Sequence, residues 1–140
     1  MIDPLKDLPG YAFRRASATW IGILAERIAA LGMGVIDASI LIVIGANPQI
    51  KQADLCTVLS IKPANMTPRI ARLIDAGLIR REPIDGRSSA LGLTEEGTLR
   101  RDQAWAIMLD HEDRFRNRIG AVADEFIATL QDLWRDPAAG

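Results

Sequence analysis

Cysteine and histidine each occur once in the 140 residues, as Cys56 and His111. One cysteine excludes an intrachain disulfide, and the two residues together are too few for a Cys/His zinc cluster. Long apolar runs are missing as well. The longest, Ile40-Leu41-Ile42-Val43-Ile44, lies between Asp37 and Asn47-Pro48 and falls far short of the roughly 18–20 residues of a membrane span. The opening MIDPLKDLPG carries acids and prolines where a secretory signal needs a basic start and an apolar run, so a cytoplasmic chain with no membrane partner is expected. There is no glycine-rich phosphate loop and no nucleophile beside a base motif. These absences point away from an enzyme and leave no cofactor to expect. What remains is 49% hydrophobic and 25% charged, a globular composition, in a length that suits one domain spanning 1–140.

Charge is close to balanced in total and uneven in place. The formal net charge is −1, which is low for a nucleic-acid binder. From Lys62 to Arg101 there are eight basic residues against five acidic ones, whereas from Asp102 onward four arginines face eight acids. The basic charge therefore coincides with one segment, and that segment also carries the most specific pattern in the chain.

Residues 55–97, LCTVLSIKPANMTPRIARLIDAGLIRREPIDGRSSALGLTEEG, read as helix, turn, helix and β-hairpin. A short helix over Lys51–Leu59 turns its Leu55, Val58 and Leu59 inward, and Ser60-Ile61-Lys62 is the turn. The second helix has two possible starts. Pro63 suits a first helical position and leaves Pro68 inside, or Thr67 caps a helix that begins at Pro68. Either way Met66, Ile70, Leu73 and Ile74 form its inward stripe, and Asp75-Ala76-Gly77 ends it. Strands over Leu78–Ile84 and Ser88–Thr94 flank Asp85-Gly86, a strong hairpin signal. Thr94-Glu95-Glu96-Gly97 then resembles a capped helix start.

The flanks are helical. Phe13, Ala16, Trp20, Ile23, Leu24, Ile28 and Leu31 recur at helical spacing over 11–31, ahead of Gly32 and Gly34. Residues 36–46 are β-branched enough to favour a strand by propensity, yet a helix is needed to cover the hairpin and its neighbours. A long helix after 97 carries Leu99, Trp105, Met108, Leu109, Phe115 and Ile119. A last helix after Gly120 carries Val122, Phe126, Ile127, Leu130, Leu133 and Trp134. The fold expected is mainly α with a small β-hairpin wing: a winged helix-turn-helix over 36–97, with N- and C-terminal dimerisation helices over 8–34 and 98–136.

In such a unit the second helix enters the major groove and its N-terminal residues lie nearest the bases. Here these are Lys62, Ala64, Asn65, Thr67, Arg69 and Arg72. Asparagine reads adenine and arginine reads guanine with paired hydrogen bonds, while lysine and threonine suit phosphates. Asn65 has a helix-end cap as its competing role, and Arg72 has a pairing with Asp75. At the wing tip Arg87 suits a narrow, electronegative minor groove and Asp85 holds the turn, and both, with Ser88, are counted among the candidate DNA-binding residues.

These residues carry a resemblance to the MarR family of transcriptional regulators. Ile61-Lys62-Pro63-Ala64-Asn65-Met66-Thr67, with Arg72-Leu73 and Gly77-Leu78-Ile79-Arg80-Arg81, is similar to the family's recognition helix and its exit. Asp85-Gly86-Arg87 with Leu93-Thr94-Glu95-Glu96-Gly97 resembles its wing and the following helix, although Gly86 stands where family wings often have arginine. Leu8-Pro9-Gly10-Tyr11 with Arg14-Arg15 resembles its N-terminal lead-in. The resemblance implies a homodimeric repressor of a palindromic double-stranded DNA operator, released by a small aromatic or phenolic acid.

For that ligand Arg14 or Arg15 would meet a carboxylate, and Trp20, Met33 or His111 would line the cleft. A plain surface or core role competes at each position, and for His111, among Asp110, Glu112 and Asp113, a solvated helix face is expected. The family's peroxide sensors keep a reactive cysteine near the start of the chain; this region has Tyr11 and no cysteine, and Cys56 is expected to be buried and inert. A protein-interaction module that keeps the winged fold without its DNA role is the alternative reading.

Overall fold

The computed structural model describes residues 1–84 and 88–135. They form six α-helices and one hairpin: α1 (Pro9–Ala29), α2 (Val35–Ala46), α3 (Gln52–Val58), α4 (Pro63–Asp75), β1 (Ile79–Pro83), β2 (Ser89–Leu93), α5 (Glu95–Ile119) and α6 (Ala123–Arg135). A single 3-10 turn at Gly120–Val122 precedes α6. The chain makes two compact units, one ending at Met108 and the other beginning at Leu109. Among the described residues no helix is long and apolar enough to cross a membrane, and no group of three or more His, Cys, Asp or Glu could hold a metal ion.

The first unit is organised around α2. Ile40, Leu41 and Ile44 are buried in one apolar cluster with Ile50, Leu55, Cys56, Met66, Ile70, Leu73, Leu78, Ile79 and Leu91. Ala38, on another face, joins Leu24, Ile28 and Ala104 in a second cluster, with Ile42 packed against it. A helix with apolar contacts on several faces reads as a featureless hydrophobic run. Packing thus overrides the strand propensity of Ile40–Ile44. Met33 packs against both clusters, so the turn between α1 and α2 is shared by them.

The hairpin is antiparallel, with Ile79 opposite Leu93, Arg81 opposite Leu91 and Pro83 opposite Ser89. Each strand is shorter than the sequence pattern predicts, ending before Ile84 and starting after Ser88. Leu91 extends the pairing to a third segment, its amide donating to the Ile50 carbonyl at 2.9 Å. At the hairpin base the Thr94 amide donates to Leu78 O at 3.1 Å, and the Thr94 hydroxyl donates to Gly77 O. The same hydroxyl accepts the Gly97 amide at 2.9 Å, which is the N-cap expected from Thr94-Glu95-Glu96-Gly97. On α5, the Arg100 guanidinium donates to the Leu31 carbonyl just past α1.

Two burial expectations are corrected. Val58 is 60% exposed, and Cys56 takes the inward place instead. Leu55, Cys56 and Leu59 form the inner stripe, and Val58 lies about 100° round the helix from its centre. His111, expected on a solvated face, is 4% exposed while Asp110, Glu112 and Asp113 around it are exposed. It falls seven residues after the buried Ala104, which returns it to the same face of α5.

In the second unit Phe115 and Phe126 meet at 6.3 Å between ring centroids, tilted by 56°, and Arg116 pairs with Asp124 at 2.7 Å. A cleft of about 260 Å³ is lined by Phe115, Ile119, Phe126, Ile127, Leu130 and Trp134. Much of the expected α6 stripe remains in solvent, with Val122, Ile127, Leu133 and Trp134 exposed, Trp134 at 66%.

Gly97 tolerates no side chain, because a Cβ there would lie 1.8 Å from the Leu78 carbonyl oxygen. Gly97→Ala should therefore destabilise the protein by at least about 1–3 kcal/mol, the usual cost of forced overpacking. A urea titration followed by circular dichroism checks this; an unchanged midpoint would show that the α5 start shifts freely.

Candidate nucleic-acid interface

The two helices of the interface are joined by a turn held through its backbone. Ser60 adopts φ +52°, the left-handed region that side chains disfavour, and the Ile61 amide donates to Cys56 O at 3.0 Å. α4 starts at Pro63, not at Pro68. A proline suits that first position, where the missing amide hydrogen would have no helical partner. Pro68 lies inside the helix on its exposed side, where water can meet the carbonyl it leaves unbonded. Lys62 is the N-cap residue and gives no side-chain cap. Asn65 is likewise not a cap: it stands in the first turn, exposed, with its amide bonded to Lys62 O.

Met66, Ile70 and Leu73 turn α4's apolar stripe into the core, as expected. The polar residues divide between two other faces. Asn65, Arg69 and Arg72 line an open groove of about 540 Å³ with Lys62, Pro68 and Ile36. Lys62, Asn65 and Arg72 are exposed, and among the described residues no ion pair joins Arg72 to Asp75. Arg69 differs, because its Nη1 donates to Asp37 Oδ1 of α2 at 2.8 Å. Thr67 is also engaged, since its hydroxyl donates to Pro63 O at 3.0 Å and accepts a hydrogen bond from Gln52 Nε2 at 3.0 Å. Arg81 of β1 reaches the Gln52 carbonyl oxygen at 3.4 Å, so α3, α4 and the hairpin meet through one glutamine.

Neither Asp37 nor Gln52 was singled out from sequence. Asp37 is 32 positions from its partner Arg69 and Gln52 is 15 from Thr67, and no local pattern announces contacts at such separations. Ser88 is half-buried beside β2, its carbonyl accepting the Ile84 amide at 3.0 Å. Asp85 and Arg87, with Gly86, lie outside the described residues.

The residues considered for a small ligand are placed as follows. Arg15 donates to the Tyr11 hydroxyl at 3.0 Å, and the Arg14 and Arg15 guanidinium carbons stand 5.9 and 5.8 Å from the Tyr11 ring centroid. Trp20 is half-buried, Met33 packs against the two clusters of the first unit, and His111 is buried in the second unit. Neither the α4 groove nor the cleft of the second unit is lined by any of these five.

The MarR family model matches residues 31–88, which run from just after α1 to just before β2. The chain is similar in fold to MarR-family winged helix-turn-helix regulators. Among solved structures it is similar to the transcriptional repressor CouR, at 26% identity and a TM-score of 0.85 over 96% of this chain and 98% of that one. CouR bound to a 23-mer DNA duplex matches at 29% identity and a TM-score of 0.80, over 96% of each chain. CouR bound to p-coumaroyl-CoA matches at 27% identity and 0.85, over 97% and 98%. The PcaV regulator of Streptomyces coelicolor shares the fold at 21% identity and a TM-score of 0.78, over 99% and 98%. No curated protein sequence matches the chain significantly. The matched range contains α3, α4 and the groove lined by Lys62, Asn65 and Arg72.

A left-handed serine is costly and glycine is not. Ser60→Gly is accordingly expected to raise stability by about 0.5–1 kcal/mol, after the entropy of a freer unfolded chain is set against the relieved strain. The urea midpoint reads this; a lower midpoint would mean that the serine side chain holds the turn.

Proposed function

We propose that this protein is a homodimeric transcriptional repressor of a palindromic operator, released by a small aromatic acid or its coenzyme A thioester. The observation that carries the DNA role is the exposed set Lys62, Asn65 and Arg72 beside a hairpin, on the helix that its family offers to the groove. Asn65 reads a base, Lys62 contacts phosphate, and Arg72 does either. Arg87 contacts the adjacent minor groove, and Asp85 and Ser88 belong to the same DNA-binding set. Thr67 and Arg69 belong with the internal supports, since both already have protein partners. Likeness to CouR, solved with a DNA duplex and with p-coumaroyl-CoA, supports both the DNA role and the ligand class. Arg15, Trp20, Met33 and His111 remain the residues proposed for the ligand. The role is regulatory and not enzymatic.

Within this reading residues 36–97 bind DNA, and 8–34 and 98–136 join two copies. Phe13, Ile21 and Ile23 on α1, and Leu109, Ile127, Leu133 and Trp134 in the second unit, are exposed. Burying each such side chain fully is worth roughly 1.5–3 kcal/mol, so leaving them all in water is costly for a lone chain. A two-fold pair would cover them and set two recognition helices about one DNA turn apart.

Two measurements test the reading. Selection of duplexes from a random pool should recover a palindrome whose affinity falls steeply with salt. Asn65→Ala should cost about 1–3 kcal/mol on that duplex and relax one base position in each half-site. Recovery of no shared sequence at moderate salt would rule the repressor out and leave a winged interaction module. Separately, sedimentation should show a dimer that Leu133→Glu with Trp134→Glu converts to monomer. A wild-type protein that sediments as a monomer at micromolar concentration would refute the paired arrangement.

A further inference from the structure

The pair Asp37–Arg69 links α2 to the recognition helix through a directional bond. The nitrogen and oxygen are 2.8 Å apart, and the two side chains are only 29% and 20% exposed. A pair that sheltered is screened less by salt than one on the open surface. Otherwise α4 is held by apolar packing of Met66, Ile70 and Leu73 and by one further polar tie, from Gln52 of α3 to the exposed Thr67 hydroxyl. Apolar burial is non-directional and defines the rotation of a helix about its axis weakly. A charge-assisted hydrogen bond adds a direction.

Arg69 also sits where α4 most needs outside support. Pro68, immediately before it, removes one helical hydrogen bond. Asn65 lies four residues before Arg69 and Arg72 three after, the spacings that share a helix face, and all three line one groove. Holding Arg69 therefore holds the directions in which Asn65 and Arg72 project.

We propose that Asp37 is a positioning residue for DNA recognition. Through Arg69 it sets the rotation of α4, so that Asn65 and Arg72 meet their base pairs in register. It touches no DNA itself. The proposal rests on the DNA-binding reading above, and its test separates the two.

Simple electrostatics and positioning predict opposite signs. Asp37→Asn removes a negative charge near the DNA, which alone would tighten binding to any duplex. Positioning predicts that the ratio of operator to random-duplex affinity falls about tenfold, the scale of one hydrogen-bonded charge pair. Arg69→Gln should lower the ratio equally, and the double variant no further, because the two residues act as one unit. The salt slope of Arg69→Gln should stay at the wild-type value. An unchanged or raised ratio in Asp37→Asn overturns the proposal. So does a slope reduced by about one unit in Arg69→Gln, which would make Arg69 a phosphate contact.

Amide hydrogen exchange of the DNA-free protein gives the independent arm. Amides of residues 70–75 should exchange about tenfold faster in Asp37→Asn than in wild type, with α1 unchanged. Equal exchange overturns the positioning role. If wild-type protein prefers no duplex, the DNA-binding reading fails and the exchange result alone decides whether Asp37 holds α4.

Discussion

Ile40, Leu41 and Ile44 are buried among Met66, Ile70 and Leu73, and on that contact the recognition helix has a place at all. α3 and the hairpin close around the same residues through Leu55, Ile79 and Leu91. α2 also presents Ala38 to the cluster of α1 and the start of α5. One helix thus belongs to two apolar clusters, and Met33 at its entrance packs against both.

The polar residues of α4 do two kinds of work. Lys62, Asn65 and Arg72 are exposed beside an open groove. Thr67 and Arg69, with the same apparent suitability for DNA, also make contacts inside the protein, to Gln52 and Asp37. The pairing of Arg69 with Asp37 offsets one of the basic charges counted in residues 62–101.

Legibility followed the range of the interaction. Turns, caps and helix stripes are local, and they were readable: Thr94 as an N-cap, the Met66–Ile70–Leu73 stripe, the hairpin after Gly77; the start of α4 was left between Pro63 and Pro68. The helix over Val35–Ala46 was readable only by requiring something to cover the hairpin, since its own β-branched residues argue for a strand. Val58 and His111 were misplaced for one reason: which side of a helix faces inward depends on the partner it packs against. The acids beside His111 mark the outside of α5, not the position of the histidine itself.

By itself the sequence determined the winged order of elements and the residues eligible to meet DNA, because these rest on spacing, turn chemistry and charge along the chain. The tertiary structure alone decided which eligible residues are free. Asp37 and Arg69 are 32 positions apart, and only the packing of α4 on α2 brings a carboxylate and a guanidinium within 2.8 Å. Contacts of that kind are made by the fold, from side chains that carry no mark of each other in the linear chain.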